Sequence, residues 1–187
     1  MLLALVDHLR LRLGHYRSNH NTNKLGAFGV LLSDSLAKAS DDLSLSAAAL
    51  LLTLYYSPAT TATELAKVGG VSQPTAVRVL DGLVRRGLIA RKGRAGRTTL
   101  LQVTPAGRKR ARTLQAARLR AMNDVLCVLP RQERTTFERA LDKLLAAATK
   151  SRTFARTTCR LCDHRICDGP LCPIGTRAAE IERAANT

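Results

Sequence analysis

The sequence predicts a mainly α-helical fold with one small two-stranded ribbon, and three observations carry that prediction. The apolar residues are mostly Leu and Ala, both strong helix formers. Apolar positions recur at helical spacing through several long segments. A pair of short apolar runs near residues 88–103, joined by Gly- and Arg-rich residues, has the form of a hairpin. The chain has 187 residues, which suits one domain with appendages and is long enough to bury a core.

The elements follow in order. Leu2, Leu5, Val6, Leu9 and Leu13 form a first helical stripe, and Gly14 with the polar stretch Ser18 to Asn23 reads as a break. His8, His15 and His20 are scattered there without a spacing that would converge them on a metal. A second helix is expected from about Lys24 to Ala39, with Leu25, Phe28, Leu32 and Leu36 on one side. Asp41-Asp42 mark a turn, and a Ser44 or Ser46 cap opens SLSAAALLLTLYY, which is apolar nearly all round and reads as the buried central helix. Ser57-Pro58 stop it.

Thr61 and Glu64 have capping-box spacing at the start of a short helix that Gly69-Gly70 end. Ser72 caps the next helix, whose early Pro74 is tolerated because first-turn amides have no intrahelical partner. Val77, Leu80, Leu83 and Val84 are expected to face inward, leaving Gln73, Thr75, Arg78 and Arg85 more exposed, and Gly87 ends the helix. Leu88 to Ala90 and Leu100 to Val103 read as short strands joined by a loop at Gly93 to Arg97. Helix, turn, helix and ribbon make a winged helix-turn-helix.

Thr104-Pro105 then start a long helix through about Val128, and Pro130 opens another carrying Phe137, Leu141, Leu144, Leu145 and Ala148. A small winged domain cannot cover all these stripes, so the N- and C-terminal helices are expected to be dimerisation elements of a homodimer. The expected organisation is N-terminal dimerisation helices over 1–42, the winged domain over 43–107, C-terminal dimerisation helices over 108–150, and a cysteine-rich tail over 151–187.

The formal net charge is +16, and the segment Gly70 to Arg120 holds thirteen Lys or Arg against one acid, Asp81. Basic charge concentrated on a helix-turn-helix pattern points to the phosphate backbone of double-stranded DNA. Trp is absent and aromatics are few, which argues against a stacking platform for single strands or RNA. The N-terminal MLLALVDHLRLRL has no basic leader before its apolar run and is too short to span a bilayer, so no membrane association and a cytoplasmic location are expected. No Ser-His-acid set, phosphate-cradling glycine loop or paired acids suggest catalysis, and an enzyme is not expected.

Cys159, Cys162, Cys167 and Cys172 follow C-x2-C-x4-C-x4-C, the spacing of a zinc knuckle with its histidine replaced by Cys167. The usual knuckle glycines are absent, and Asp163 to Ile166 stand in their place. Four thiolates suit zinc or an iron–sulfur cluster, with reactive thiols or disulfides as a further alternative. Arg160 and Arg165 are expected to favour the thiolates, and His164 to be outside the ligand set or exposed. The polar segment 159–172 is not expected to form a packed core, and Cys127, between Leu126 and Val128, is expected to be buried.

The order LSLSAAALLLTL, then TATELAKVGGVSQPTAVRVLDGLVRRGLIAR, then the wing arginine and VTPAGR resembles the MarR family of bacterial transcriptional regulators. With flanking helices, the likeness runs from about Lys24 to Lys150. It implies a homodimer, here a repressor, with each recognition helix (residues 72–86) in a major groove of a pseudo-palindromic site. It also implies a cleft between dimer helices and DNA-binding lobe that accepts a small anionic or phenolic effector. Carried over position by position, Ser72, Gln73, Thr75 and Arg78 face the groove, Arg97 is the wing arginine and Arg94 assists it; Asp81 takes a structural salt bridge. The wing departs from the family pattern: GRAGR has no aspartate shortly before Arg97, which leaves the loop less firmly held. An alternative regulator is controlled through an iron–sulfur cluster or reactive thiols at the C-terminal cysteines.

Overall fold

The computed structural model describes residues 2–58, 60–95, 98–167 and 169–186, with side chains from Asn19 onward except those of residues 94–99. The stripe Leu2 to Leu13 and the side chains of His8 and His15 therefore lie outside the described residues. The backbone there belongs to one long helix, α1 (Leu2–Ser40), and the expected break at residues 14–23 is absent. Nothing in that stretch is a proline, and one glycine costs only about 1 kcal/mol relative to alanine, so polarity alone does not stop a helix.

Helix α2 (Leu45–Tyr56) is the centre of the molecule. Ser44 caps it, its hydroxyl accepting from the Ala47 amide at 3.2 Å. Ala48 to Leu52 and Leu54 are fully or almost fully buried. Around it pack α3 (Ala62–Gly69), α4 (Gln73–Arg85), the ribbon, and α5 (Pro105–Leu126). The capping box at Thr61 is complete: the Thr61 amide donates to Glu64 Oε2 at 3.1 Å, and the Glu64 amide to Thr61 Oγ1 at 3.2 Å. The Thr61 amide, then its hydroxyl, holds the Glu64 carboxyl below the usual range.

The ribbon is longer than expected. Strand β1 (Ile89–Ala95) pairs antiparallel with β2 (Thr98–Val103), from Ile89 opposite Val103 to Ala95 opposite Thr98. A register shift between Arg91 and Arg94 absorbs Gly93, so most of the expected loop is strand. Thr104 then caps α5, accepting from the Gly107 amide at 3.0 Å and donating to the Gly87 carbonyl at 2.6 Å. A side chain at Gly107 would collide with Leu88 and Val103, whose Cγ1 would lie 2.8 Å from the added carbon. Glycine lets α5 lie directly against the root of the ribbon.

Helix α1 packs on α5, and Phe28 meets Phe137 of α6 (Arg131–Ala148) edge-on at 6.3 Å. None of α6 is buried, and Leu25, Val30, Leu31, Leu141 and Leu144 are exposed in the single chain. Cys127 is also exposed, contrary to expectation. It is the C-terminal cap residue of α5, beyond the packed turns, where its thiol donates to the Asp124 carbonyl at 3.0 Å.

The tail is helical too. Helix α7 (Arg152–Thr158) packs on α3, and α8 (Pro173–Ala185) packs on α6 and α7. The segment between them contributes to a second small core of Ala155, Cys159, Cys172, Ile174 and Ala178. Most of its polar residues are exposed or half-buried, but Asp163 is buried with Cys159 and Cys172, which composition alone does not separate. No helix of the described residues is long and apolar enough to cross a membrane.

Candidate nucleic-acid interface and thiol cluster

The helix-turn-helix places α4 with one buried edge and one open face. Ala76, Leu80 and Leu83, at the spacing i, i+4, i+7, are the buried residues. Val77, expected inside, is 42% exposed because it follows Ala76 round the helix onto the open side. That face carries Gln73, Thr75, Val77, Arg78 and Arg85, all exposed. Ser72 caps α4, accepting from the Thr75 amide at 3.3 Å, and its hydroxyl lies 2.8 Å from that of Thr75. Both hydroxyls therefore hold the N-terminal turn at which Gln73 and Arg78 are displayed.

The basic charge is partly structural. Arg86 pairs with Asp42, Arg110 bonds Asp42 at 2.7 Å, and Arg91 pairs with Asp81. The last pair ties the recognition helix to the ribbon, the structural salt bridge expected of Asp81. Arg78, Arg85, Lys92, Lys109, Arg112 and Arg120 are exposed and make no ion pair among the described residues. Arg97 and the side chain of Arg94 lie outside the described residues; the Arg94 backbone pairs with Thr99.

The four predicted cysteines of the tail come together. Cys159 and Cys172 are buried in one small cluster, and Cys162 and Cys167 pack against it. The Cys159 hydrogen bond, then Arg118 and His164, hold the Cys162 thiol down at about 6 despite its burial. The bond to Cys162 and burial push Cys159 up, and burial first, then Cys172, pushes Cys167 up to about 12. Arg165, expected to act on the thiols, instead bonds Asp163 at 2.7 Å and holds that carboxyl at about 2. Arg160 donates to the Thr157 carbonyl at 2.7 Å. Among the described residues no group of three or more His, Cys, Asp or Glu side chains is arranged, as it stands, to hold a metal ion. As a donor set, four contiguous thiols suit a soft metal ion.

Sequence reasoning missed how this cluster is seated. Thr157 donates through Oγ1 to the Lys67 carbonyl at 3.1 Å, near the C-terminus of α3. Gly70, whose φ of 64° makes the turn into α4, lies against Thr157. Leu161 packs on the main core. Gln115 is 3% exposed, and with its amide oriented to match its neighbours it donates to the Leu161 carbonyl at 3.3 Å and accepts from the Asp163 amide at 2.8 Å and Arg118 at 3.0 Å. The signal for α8 was present in Cys172-Pro173, the same cap-then-proline pattern as Thr104-Pro105.

A helix-turn-helix whose second helix presents an open polar face, followed by a bulged ribbon, can be compared with known proteins as a whole. Residues 43–95 match the MarR family. Solved structures of similar fold extend the likeness over the flanking helices. The Mycobacterium tuberculosis MarR family protein Rv2887 in complex with DNA is 27% identical, with a TM-score of 0.55 over 65% of this chain and 94% of that one. The same protein with salicylic acid gives 29%, 0.52, 64% and 92%. YusO of Bacillus subtilis, at 21% identity and a TM-score of 0.61 over 68% of this chain and 93% of its own, shares the fold. No curated protein matches the chain. The likeness to solved structures thus covers 65–68% of this chain, well beyond residues 43–95.

Proposed function

We propose that this protein is a DNA-binding transcriptional regulator that reads a pseudo-palindromic duplex site as a homodimer and acts as a repressor in the cytoplasm. The observation that carries the reading is the open face of α4, with Gln73, Thr75, Val77 and Arg78 exposed together on a MarR-type domain. Arg78 has the two parallel donors that match guanine O6 and N7, and Gln73 suits adenine. Val77 offers an apolar contact for a thymine methyl. Ser72 and Thr75 fix the helix N-terminus, whose free amides suit phosphate. Arg97 and Arg94 remain the wing candidates for the minor groove. The related Rv2887 in complex with DNA supports this reading.

The dimer follows from what the single chain leaves uncovered. Leu25, Val30 and Leu31 on α1 and Leu141 and Leu144 on α6 flank the Phe28–Phe137 contact, and a two-fold mate with the same stripe covers them. Residues 1–42 and 108–150 then serve as dimer elements and 43–107 as the reading unit. Between α1 and α5 an open groove lined by Leu31, Ala121 and Val125, with two cations, Lys38 and Arg120, against one acid, Asp124, suits a small organic anion as effector. Salicylic acid in the related structure supports that chemistry.

Selection of bound duplexes from a random pool tests the reading. The expected result is enrichment of an inverted repeat, bound by two chains, with affinity falling steeply as salt rises. Equal recovery of all sequences would show a non-specific binder instead.

A further inference from the structure

We propose that Cys159, Cys162, Cys167 and Cys172 are the four ligands of a zinc ion, and that filling this site locks residues 157–163 onto the turn between α3 and α4. The first part stands on the tail alone; the second concerns the lobe assigned above to DNA.

Three short backbone turns deliver the sulfurs. The Cys162 amide donates to the Cys159 carbonyl at 2.9 Å, closing the first C-x2-C turn. The Cys167 amide donates to the Asp163 carbonyl at 2.9 Å, and Arg165 braces the Asp163 side chain from outside. Cys172 caps α8, where the Gly175 amide donates to its Sγ at 3.2 Å.

A second observation points to negative charge at this place. Arg118 donates to the Gln115 oxygen that also accepts the Asp163 amide beside Cys162, pairs with no carboxylate among the described residues, and has a buried Nε without a hydrogen-bond partner. Four thiolates around one Zn2+ carry a net charge of about −2, and a half-buried guanidinium offsets part of it. A cavity of about 410 Å³ lined by Cys159, Cys167 and Cys172 gives the ion a way in.

One ion is the smallest demand the segment can meet. With Zn–S near 2.3 Å, the sulfurs of a tetrahedral site stand about 3.8 Å apart. The short C-x2-C-x4-C-x4-C spacing can encircle one such ion once the four side chains turn toward a common point. On binding, the thiols that are still protonated release their protons to solvent as four Zn–S bonds form, without change of oxidation state.

The seat of the site makes occupancy matter beyond the tail. Two residues before Cys159, Thr157 holds the Lys67 carbonyl; between Cys159 and Cys162, Leu161 enters the main core. Directly after Cys162, the Asp163 amide bonds Gln115 of α5. Drawing Cys159 and Cys162 to one ion fixes all three contacts together.

The full-length protein, purified without chelator, is assayed for metal and sulfide and followed by hydrogen exchange before and after a zinc chelator. The expected result is one zinc per chain, no sulfide, and protection of both 157–163 and 67–72 that falls together on chelation. Cobalt substitution should give a visible sulfur-to-metal charge-transfer band. Cys162→Ser should weaken zinc retention more than about 100-fold, since even outer-shell partners are worth about 10–100-fold. Should that variant misfold, Thr157→Ala keeps all four ligands: it should retain zinc yet leave 67–72 insensitive to chelator. Metal-free protein with freely alkylated thiols, iron with sulfide, or a disulfide by mass would each overturn the zinc site. Zinc without any change at 67–72 on chelation would overturn the lock. None of these readouts involves DNA, so they stand apart from the selection experiment.

Discussion

The winged core and the cysteine-bearing tail begin their helices with the same local signals but hold themselves together by different means. Thr104-Pro105 opens α5 in one, and Cys172-Pro173 opens α8 in the other. The winged core then buries a continuous set that includes Leu50, Leu51, Leu52, Leu54, Leu65 and Leu83. The tail's buried apolar set among the described residues is three small or aliphatic side chains and two thiols, with the carboxylate of Asp163 buried beside them. Hydrophobic burial of that extent does not offset the conformational entropy of the segment it orders. The tail therefore depends on its contacts with α3 and α5 and on what its thiols bind. The difference teaches that a capped helix is a local event, whereas an autonomous fold needs a core.

The comparison can be broken from either side. Leu51→Ala, at a fully buried position of α2, should cost about 2–5 kcal/mol and weaken the whole molecule in denaturant unfolding. Preserved stability there would mean that the core lies elsewhere. Gly107→Ala should cost about 1–3 kcal/mol or more, because the new methyl group meets backbone rather than a flexible side-chain end; thermal melting reads it. Gln115→Leu should cost about 1–3 kcal/mol by leaving the Leu161 carbonyl and Asp163 amide unpaired. Its effect should show in hydrogen exchange at 159–165, with 48–54 still protected. Thr61→Ala should cost about 1 kcal/mol through the lost cap, again visible in melting.

These contrasts also mark what could be read in the sequence. Caps were legible because their signal is local: Thr61 with Glu64, Ser72, Gly87 and Thr104 stand where the sequence put them, and of the two candidates Ser44 and Ser46 it is Ser44 that caps α2. The apolar run of α2 announced the core because no other placement hides it. What was not legible depends on partners distant in sequence. Val77 and Ala76 differ by one step round a helix, and only the position of α2 decides which is covered. Cys127 looks apolar in its neighbourhood but sits at a helix end that nothing in the single chain covers. The break in α1 was inferred from polarity, which marks exposure more than chain direction. The four cysteines were legible as a cluster, but their seating through Thr157, Leu161 and Gln115 was not, since each contact joins residues far apart in the chain.

The most direct test of the account is the ratio of selected-site to random-duplex affinity for Arg78→Ala beside the parent protein, at matched salt. Arg78 is exposed on α4 and without an ion-pair partner among the described residues, so the fold should be unaffected. The account predicts a loss of about 1–3 kcal/mol on the selected site, with random-duplex affinity reduced only by the loss of one cation. An equal loss on both duplexes would contradict it, and would make α4 a phosphate contact rather than the reader of sequence.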